Sequence, residues 1–249
     1  CGKAATVEWV DREQQKLIAA PYFMVTFTVP SELREKFFGS TAKEAFDLLF
    51  KAVAGSLREV LARPKVLGAA LGGATMVLHT WNQRMLVHPH IHCVVPGAGL
   101  DVEGNYVEVK SAKYLVKGEV LAGCFRSQLR AAMEKVGWGC DPAVWQKNWC
   151  VDVEPFGNGE NAVKYLGTYV SRGVIGDSRM VKVTATHVTF CYKDRDHKGK
   201  WKQETITGVE FTRRYLRHVL PRRMHAVRYM GFSHPTAKAK REKVLAGCA

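Results

Sequence analysis

Two common features are missing from this sequence. No apolar run approaches the roughly 18 to 20 residues that a membrane-spanning helix needs, which argues against a chain that crosses a bilayer. No charged and then apolar leader opens the chain, and its 7 cysteines are odd in number and scattered. Scattered cysteines favour a reducing compartment, so we expect a cytoplasmic protein.

Acidic residues are also scarce. The chain of 249 residues has 23 Asp and Glu against 37 Lys and Arg, a formal net charge of +14, which indicates a polyanionic partner. Residues 191–249 hold 15 of the basic and 5 of the acidic residues, and so carry +10 of that charge. The contact with the polyanion is therefore expected mainly in the last quarter of the chain.

The apolar patterns predict a mixed fold. Runs rich in β-branched and aromatic residues predict strands at 22–30, 74–81, 86–95, 149–156 and 181–192. Helical spacing of apolar residues predicts helices at 41–63, 118–136, 160–172 and 205–220. Short extended segments are expected at 105–110 and 224–232, and a mobile basic tail after residue 235. We predict one α+β domain, with a central antiparallel sheet and flanking helices.

Three histidines alternate along one predicted strand, His88, His90 and His92. Alternate residues of a strand share a face, and neutral imidazole is a common ligand of divalent metals, so His90 and His92 are the favoured pair. If the hairpin turns near residues 84 and 85, His79 lies opposite His90 and is a candidate third ligand, in competition with His88. The alternative is a half-exposed polar strand without a metal. Cys93 points to the other, core-facing side.

Tyr165 and Tyr169 are four residues apart and share a helix face, with Lys164 beside them. Core packing is the common role of such a pair. The alternative is nucleophilic chemistry, because a phenol near a cation and a polarised phosphate can form a phosphotyrosine.

Two stretches together resemble a known family. LHTWNQRMLVHPHIHCVVPGAGL, from residue 78 to 100, and KYLGTYVSR, from 164 to 172, are similar to the two-tyrosine transposases of the insertion sequence 91 family, which are HUH endonucleases. The likeness includes PYFMVTFTVP near the start and RYLRHVLPRRMHAVRYMGF near the end. It implies a palm-like or ferredoxin-like HUH fold.

The resemblance also implies a site and a reaction. His90 and His92 match the HUH pair, with His79 as the third ligand of Mg²⁺ or Mn²⁺, and Tyr165 and Tyr169 match the two nucleophiles. The implied function is rolling-circle transposition, in which single-stranded DNA at transposon ends and target is cut and rejoined through a 5′-phosphotyrosine. The alternatives are a catalytically decayed DNA-binding fragment, or a plasmid replication initiator or relaxase of the same superfamily.

The same comparison implies three parts. Residues 1–15 match the remnant of an N-terminal zinc-binding module, 16–190 the HUH catalytic domain and 191–249 a basic DNA-binding region. Because the chain starts at Cys1 rather than Met, we expect an upstream part to be missing. Arginines interleaved with aromatic residues suit a single-strand interface, for which the candidates are Lys164, Arg172, Arg213, Arg214, Arg217, Arg222 and Arg223. Trp81 and Trp201 could also stack bases, but burial is the expected role of each.

Overall fold

The structure is a computed structural model that describes residues 2–170, 173–194 and 199–248, without the side chains of 2–5 and 168–170. Its helices are α1 (Gly2–Gln14), α2 (Ala42–Leu61), α3 (Gly118–Lys135), α4 (Ala143–Gln146), α5 (Glu160–Val170), α6 (Gly208–Leu216) and α7 (Lys238–Gly247). Its strands are β1 (Tyr22–Thr28), β2 (Gly73–Trp81), β3 (Val87–Pro96), β4 (Ala98–Leu100), β5 (Tyr106–Glu108), β6 (Val151–Pro155), β7 (Met180–Val183), β8 (His187–Asp194), β9 (Lys200–Thr207) and β10 (Val227–Gly231).

A five-stranded antiparallel sheet forms the centre, in the order β10-β2-β3-β1-β6. Helices cover both of its faces, which confirms the predicted α+β class with a central antiparallel sheet. The last strand, β10, comes from the basic C-terminal part of the chain and pairs with β2 at the sheet edge. The strands β4 and β5 form a separate short pair.

One face of the sheet carries the larger core. Alternate residues of the two central strands, including Phe23, Phe27, Ile91 and Cys93, point to this side and are fully buried. The helices α2 and α3 cover them, because their apolar residues recur every three to four positions. Cys93 therefore lies in the core, as predicted.

The opposite face carries the histidines and a smaller core. The helices α1 and α5 pack against each other on this side, and Trp9 and Leu166 join Met24 and Val94 of the sheet in one buried cluster. The predicted helix at 160–172 is confirmed for α5, whose last described residue is Val170.

The segment 180–207 differs from the prediction. The single strand expected at 181–192 is two strands, β7 and β8, because the Thr184 hydroxyl accepts the backbone N–H of His187 and closes a turn between them. The helix expected from residue 205 begins only at Gly208. Residues 200–207 pair with β8 as β9, and the Thr207 hydroxyl caps α6 by accepting the N–H of Glu210.

The mobile basic tail is also a wrong prediction. Residues 238–247 form α7, and its Val244 is fully buried in the smaller core. One apolar contact of this kind is hard to recognise within a run of lysines and arginines. Among the residues that the structure describes, no helix is long and apolar enough to span a membrane.

Candidate active site

Three histidines converge on the α5 side of the sheet. His79 of β2 lies directly opposite His90 of β3, the register that the hairpin length predicted, and His92 is two residues further along β3. One ring nitrogen from each of the three lies within 4.8 Å of the others. Two adjacent strands therefore bring three imidazoles together.

The hydrogen bonds of His90 orient its ring. Its Nδ1 lies 2.7 Å from the carbonyl oxygen of His88, and because a carbonyl only accepts, Nδ1 carries the proton. Burial holds the pKa of His90 well below its usual value, and the neighbouring His92 and His79 lower it further. A neutral ring protonated at Nδ1 leaves the Nε2 lone pair available to a metal.

The second histidine of β3 has a similar outer contact. The Nδ1 of His92 lies 3.0 Å from the Thr26 hydroxyl of β1, which stands opposite it in the sheet. Such a contact through one nitrogen fixes the direction of the other. His88, the competing third ligand, has its ring 5.3 Å from that of His90 but does not belong to the convergent group of three.

Tyr165 lies beside the histidines. Its ring centroid is 6.1 Å from that of His92 and 6.1 Å from that of Phe156, and 38% of the residue is exposed. A phenol in this position is supported on one side and open to solvent on the other. Tyr169 lies one turn further along α5, but its side chain is outside the described residues.

Two aromatic residues extend the site and were not predicted to belong to it. The indole of Trp81 stacks on His79, with centroids 4.8 Å apart and planes at 30°. The ring of His218 lies 5.8 Å from that of Trp81, and its two nitrogens contact the Thr80 hydroxyl and the Met85 carbonyl oxygen. Trp81 is partly exposed rather than fully buried. The signal in the sequence was its spacing, two residues from His79 on one strand.

Two adjacent arginines of α6 have different surroundings. Arg214 is 11% exposed and donates to Glu210, to Glu204 and to the carbonyl oxygen of Arg84. Arg213 is 46% exposed, and its guanidinium pairs with Glu210 at 2.6 Å. Arg214 therefore ties α6 to β9 and to the β2–β3 turn, whereas Arg213 faces solvent.

The other predicted DNA contacts lie on the surface or outside the described residues. Lys164 is exposed on α5 beside Tyr165, and the guanidinium of Arg217 lies 4.9 Å from the centroid of the Phe38 ring. Arg222 and Arg223 are exposed in the loop between α6 and β10. Arg172 lies outside the described residues.

Comparison with protein families gives one match to most of the chain. Residues 73–242 match the Y2_Tnp profile, described as "Putative transposase". The match covers both histidine strands, α5 and most of the basic region.

Two curated relatives match almost the whole chain. "Putative transposase y4qJ" of Sinorhizobium fredii is 34% identical over 269 residues, covering 100% of this chain and 66% of the relative. "Transposase for insertion sequence element IS801" of Pseudomonas savastanoi pv. phaseolicola is 28% identical, covering 93% of this chain and 59% of the relative. The chain thus spans about three fifths to two thirds of their length.

Solved structures show a weaker similarity. A metal-bound structure of the conjugative relaxase TrwC with oriT DNA aligns with 92% of this chain and 71% of that one, at 12% identity and a TM-score of 0.38. TrwC with a 27-mer DNA aligns with 47% of this chain and 45% of that one, at 16% identity and a TM-score of 0.36. Similarity at this level does not assign a function.

Proposed function

The chain belongs to the Y2_Tnp transposase family, and we propose that it cuts and rejoins single-stranded DNA at transposon ends and target, in rolling-circle transposition. The family match and the two relatives confirm the resemblance to insertion sequence 91 transposases. The observation that carries the proposal is the position of Tyr165, a half-open phenol beside three convergent imidazoles.

The nucleophile is the phenol oxygen of Tyr165. Its attack on a scissile phosphate forms the tyrosyl O–P bond and breaks the P–O3′ bond of the DNA. The phenol gives up its proton and the leaving O3′ takes one up, so the products are a 5′-phosphotyrosyl protein and a strand that ends in a 3′-hydroxyl. Because one phosphodiester replaces another, the strand can be rejoined by the reverse attack without another energy source. Tyr169 is the second nucleophile of the proposal, one helical turn away.

The metal ligands of the proposal are His79, His90 and His92. The donor set fits a divalent cation, since one ring nitrogen from each of three histidines lies within 4.8 Å of the others and the Nδ1 contact of His90 leaves its Nε2 as the donor atom. Mg²⁺ or Mn²⁺ bound there supplies a Lewis acid that polarises the phosphate. The protein holds the imidazoles in place through the His88 carbonyl and the Thr26 hydroxyl.

In this proposal, exposed cations around the site bind the phosphates of the DNA. Lys164 stands beside the nucleophile, and Arg213, Arg217, Arg222 and Arg223 present positive charge from α6 and the loop that follows it. Arg172 belongs to the same set in the proposal. Arg214 does not bind phosphate in this proposal, because its guanidinium is paired with the carboxylates of Glu204 and Glu210. Its role is to hold α6 in place. We also propose that the protein acts in the cytoplasm.

Trapping of a covalent adduct tests the proposal. The chain is incubated with Mn²⁺ and labelled single-stranded oligonucleotides from the element ends, and the products are run on a denaturing gel. We expect a DNA–protein adduct that is lost in the Tyr165→Phe, Tyr169→Phe double variant. Tyr114→Phe is the matched control, since Tyr114 is an exposed tyrosine in the loop before α3.

A second variant tests the metal assignment. His90→Ala should abolish cleavage and leave most of the salt-dependent DNA affinity, because the cations that bind phosphate are unchanged. Normal cleavage by His90→Ala would show that the metal ligands are wrong. Adduct formation by the double tyrosine variant would show that the assignment of the nucleophile is wrong.

A further inference from the structure

The β8–β9 hairpin has two chemically different faces. Residues that pair directly across an antiparallel ladder share a face. Phe190 stands opposite Glu204 on the inner face, whereas Lys193 stands opposite Trp201 on the outer face. Exposure alternates accordingly along β9, so the strand is half-buried on one side and open on the other.

Among the described residues of the hairpin, the carboxylates of Asp194 and Glu204 lie on the inner face. Glu204 accepts from Arg84 at 2.8 Å and from Arg214 at 3.1 Å, and Asp194 pairs with Lys202 at 2.7 Å. Arg84 belongs to the turn between β2 and β3, the strands that carry the metal ligands. The inner face therefore connects the three-stranded sheet of β7, β8 and β9 to the candidate active site. The negative charges of its carboxylates are neutralised by these ion pairs.

The outer face has the opposite character. Its residues are one cation, one tryptophan and a set of small or neutral polar side chains: His187, Thr189, Cys191, Lys193, Trp201, Gln203, Thr205 and Thr207. None of them is a carboxylate. Trp201 is 63% exposed, contrary to the burial expected from the sequence. An exposed indole directly opposite a lysine combines a flat ring with a cation, the two groups that bind the bases and the phosphates of a single strand.

We propose that this outer face binds single-stranded DNA, with a base stacked on Trp201 and a phosphate at Lys193. Directly opposed residues have Cβ atoms about 5 Å apart, so one nucleotide can reach both side chains. The Thr189 and Thr205 hydroxyls are hydrogen-bonded across the strands at 2.9 Å, which stiffens the platform. Stacking requires an unpaired base, so the ligand is a single strand rather than a duplex. The inference rests on the proposed function, which supplies such a strand.

Equilibrium binding tests the stacking contact. Fluorescence anisotropy is measured with the full chain and a labelled oligothymidylate of about 30 nucleotides, without metal so that nothing is cleaved. Trp201→Ala should weaken binding about tenfold, the loss typical of one stacked base. Tyr114→Ala is the matched control, since Tyr114 is a 56% exposed aromatic residue outside the hairpin. This variant should bind the oligonucleotide like the wild type.

The salt dependence tests the phosphate contact. Lys193→Gln should reduce the slope of log affinity against log salt by about 0.7, the value for one phosphate of a single strand. Lys113→Gln, which removes an exposed lysine outside the hairpin, should leave the slope unchanged. Equal slopes for the two variants would refute the contact.

Further measurements separate this surface from the proposed cleavage site. Trp201→Ala should still form the adduct at a saturating concentration of oligonucleotide, whereas the Tyr165→Phe, Tyr169→Phe double variant should not. The proposal is wrong if Trp201→Ala binds like Tyr114→Ala, or if it loses as much affinity for a duplex as for a single strand. It is also wrong if Trp201→Ala only abolishes self-association in light scattering, which would make the face a protein interface.

Discussion

Replacement of Arg214 by alanine tests whether neighbouring arginines of α6 have different roles. The Arg214 guanidinium donates at 2.8 Å to Glu210, at 3.1 Å to Glu204 and at 3.1 Å to the carbonyl oxygen of Arg84. Charge-assisted hydrogen bonds of this kind contribute about 1.5 to 3 kcal/mol. Because Arg84 still neutralises Glu204 in the variant, the loss should be nearer 2 kcal/mol than the 3 to 5 kcal/mol of an orphaned buried charge.

That loss converts to a measurable shift in melting temperature. For a chain of this size, 1 kcal/mol corresponds to about 2 to 4 °C, so Arg214→Ala should melt about 4 to 8 °C below the wild type. Circular dichroism during heating gives the midpoint, and urea titration gives the free energy of unfolding directly.

Arg213→Ala is the matched control on the same helix. Arg213 shares Glu210 as a partner but is much more exposed, so solvent screens its ion pair and the melting temperature should hardly change. Its expected effect is weaker DNA binding with a smaller salt slope. Equal destabilisation by the two variants would refute the distinction between an anchoring and a DNA-facing arginine.

Two further predictions concern histidines. His79→Ala should abolish Mn²⁺ binding in calorimetry, whereas His88→Ala should retain most of it, because His79 belongs to the convergent group of three and His88 does not. The reverse result would make His88 the third ligand. Burial lowers the pKa of His218, so the native ring stays neutral while the unfolded ring takes up a proton below about pH 6.5. The metal-free protein should therefore lose stability as the pH falls through that value, and His218→Gln should flatten the dependence in urea titrations from pH 8 to 5. His90 shifts in the same direction and retains part of the slope, but an unchanged slope would contradict the assignment to His218.

Local sequence patterns were sufficient to predict the two strands that carry the histidines and the register between them. The four-residue connection between the two apolar runs limited the hairpin to one turn, and this put His79 opposite His90. The contact between His92 and Thr26 could not be predicted in the same way. It depends on β1 lying next to β3, and strand order is set by packing between segments more than sixty residues apart.

The errors in the segment 180–207 have a related cause. The residues of β9 are mostly polar, and Ile206 is its one aliphatic residue that packs against a third buried cluster, formed by Met85, Val174 and Phe190. Their extended conformation comes from pairing with β8 rather than from their own apolar pattern. Trp201 was expected to be buried because tryptophan usually is, whereas its position on the outer face follows from that pairing.

The position of Tyr165 depends on one glycine just before α5 and another within it. Gly159 precedes α5 with φ +86, and a Cβ there would lie 2.7 Å from the Tyr22 ring, so the helix begins against the sheet itself. A Cβ on Gly167 would lie 2.3 Å from Val10 Cγ2, so α1 can approach α5 this closely only at a residue without a side chain. Tyr165 lies between these two close contacts. The sheet fixes one end of α5 and α1 the other, which makes α1 part of the structure that holds the phenol beside His92.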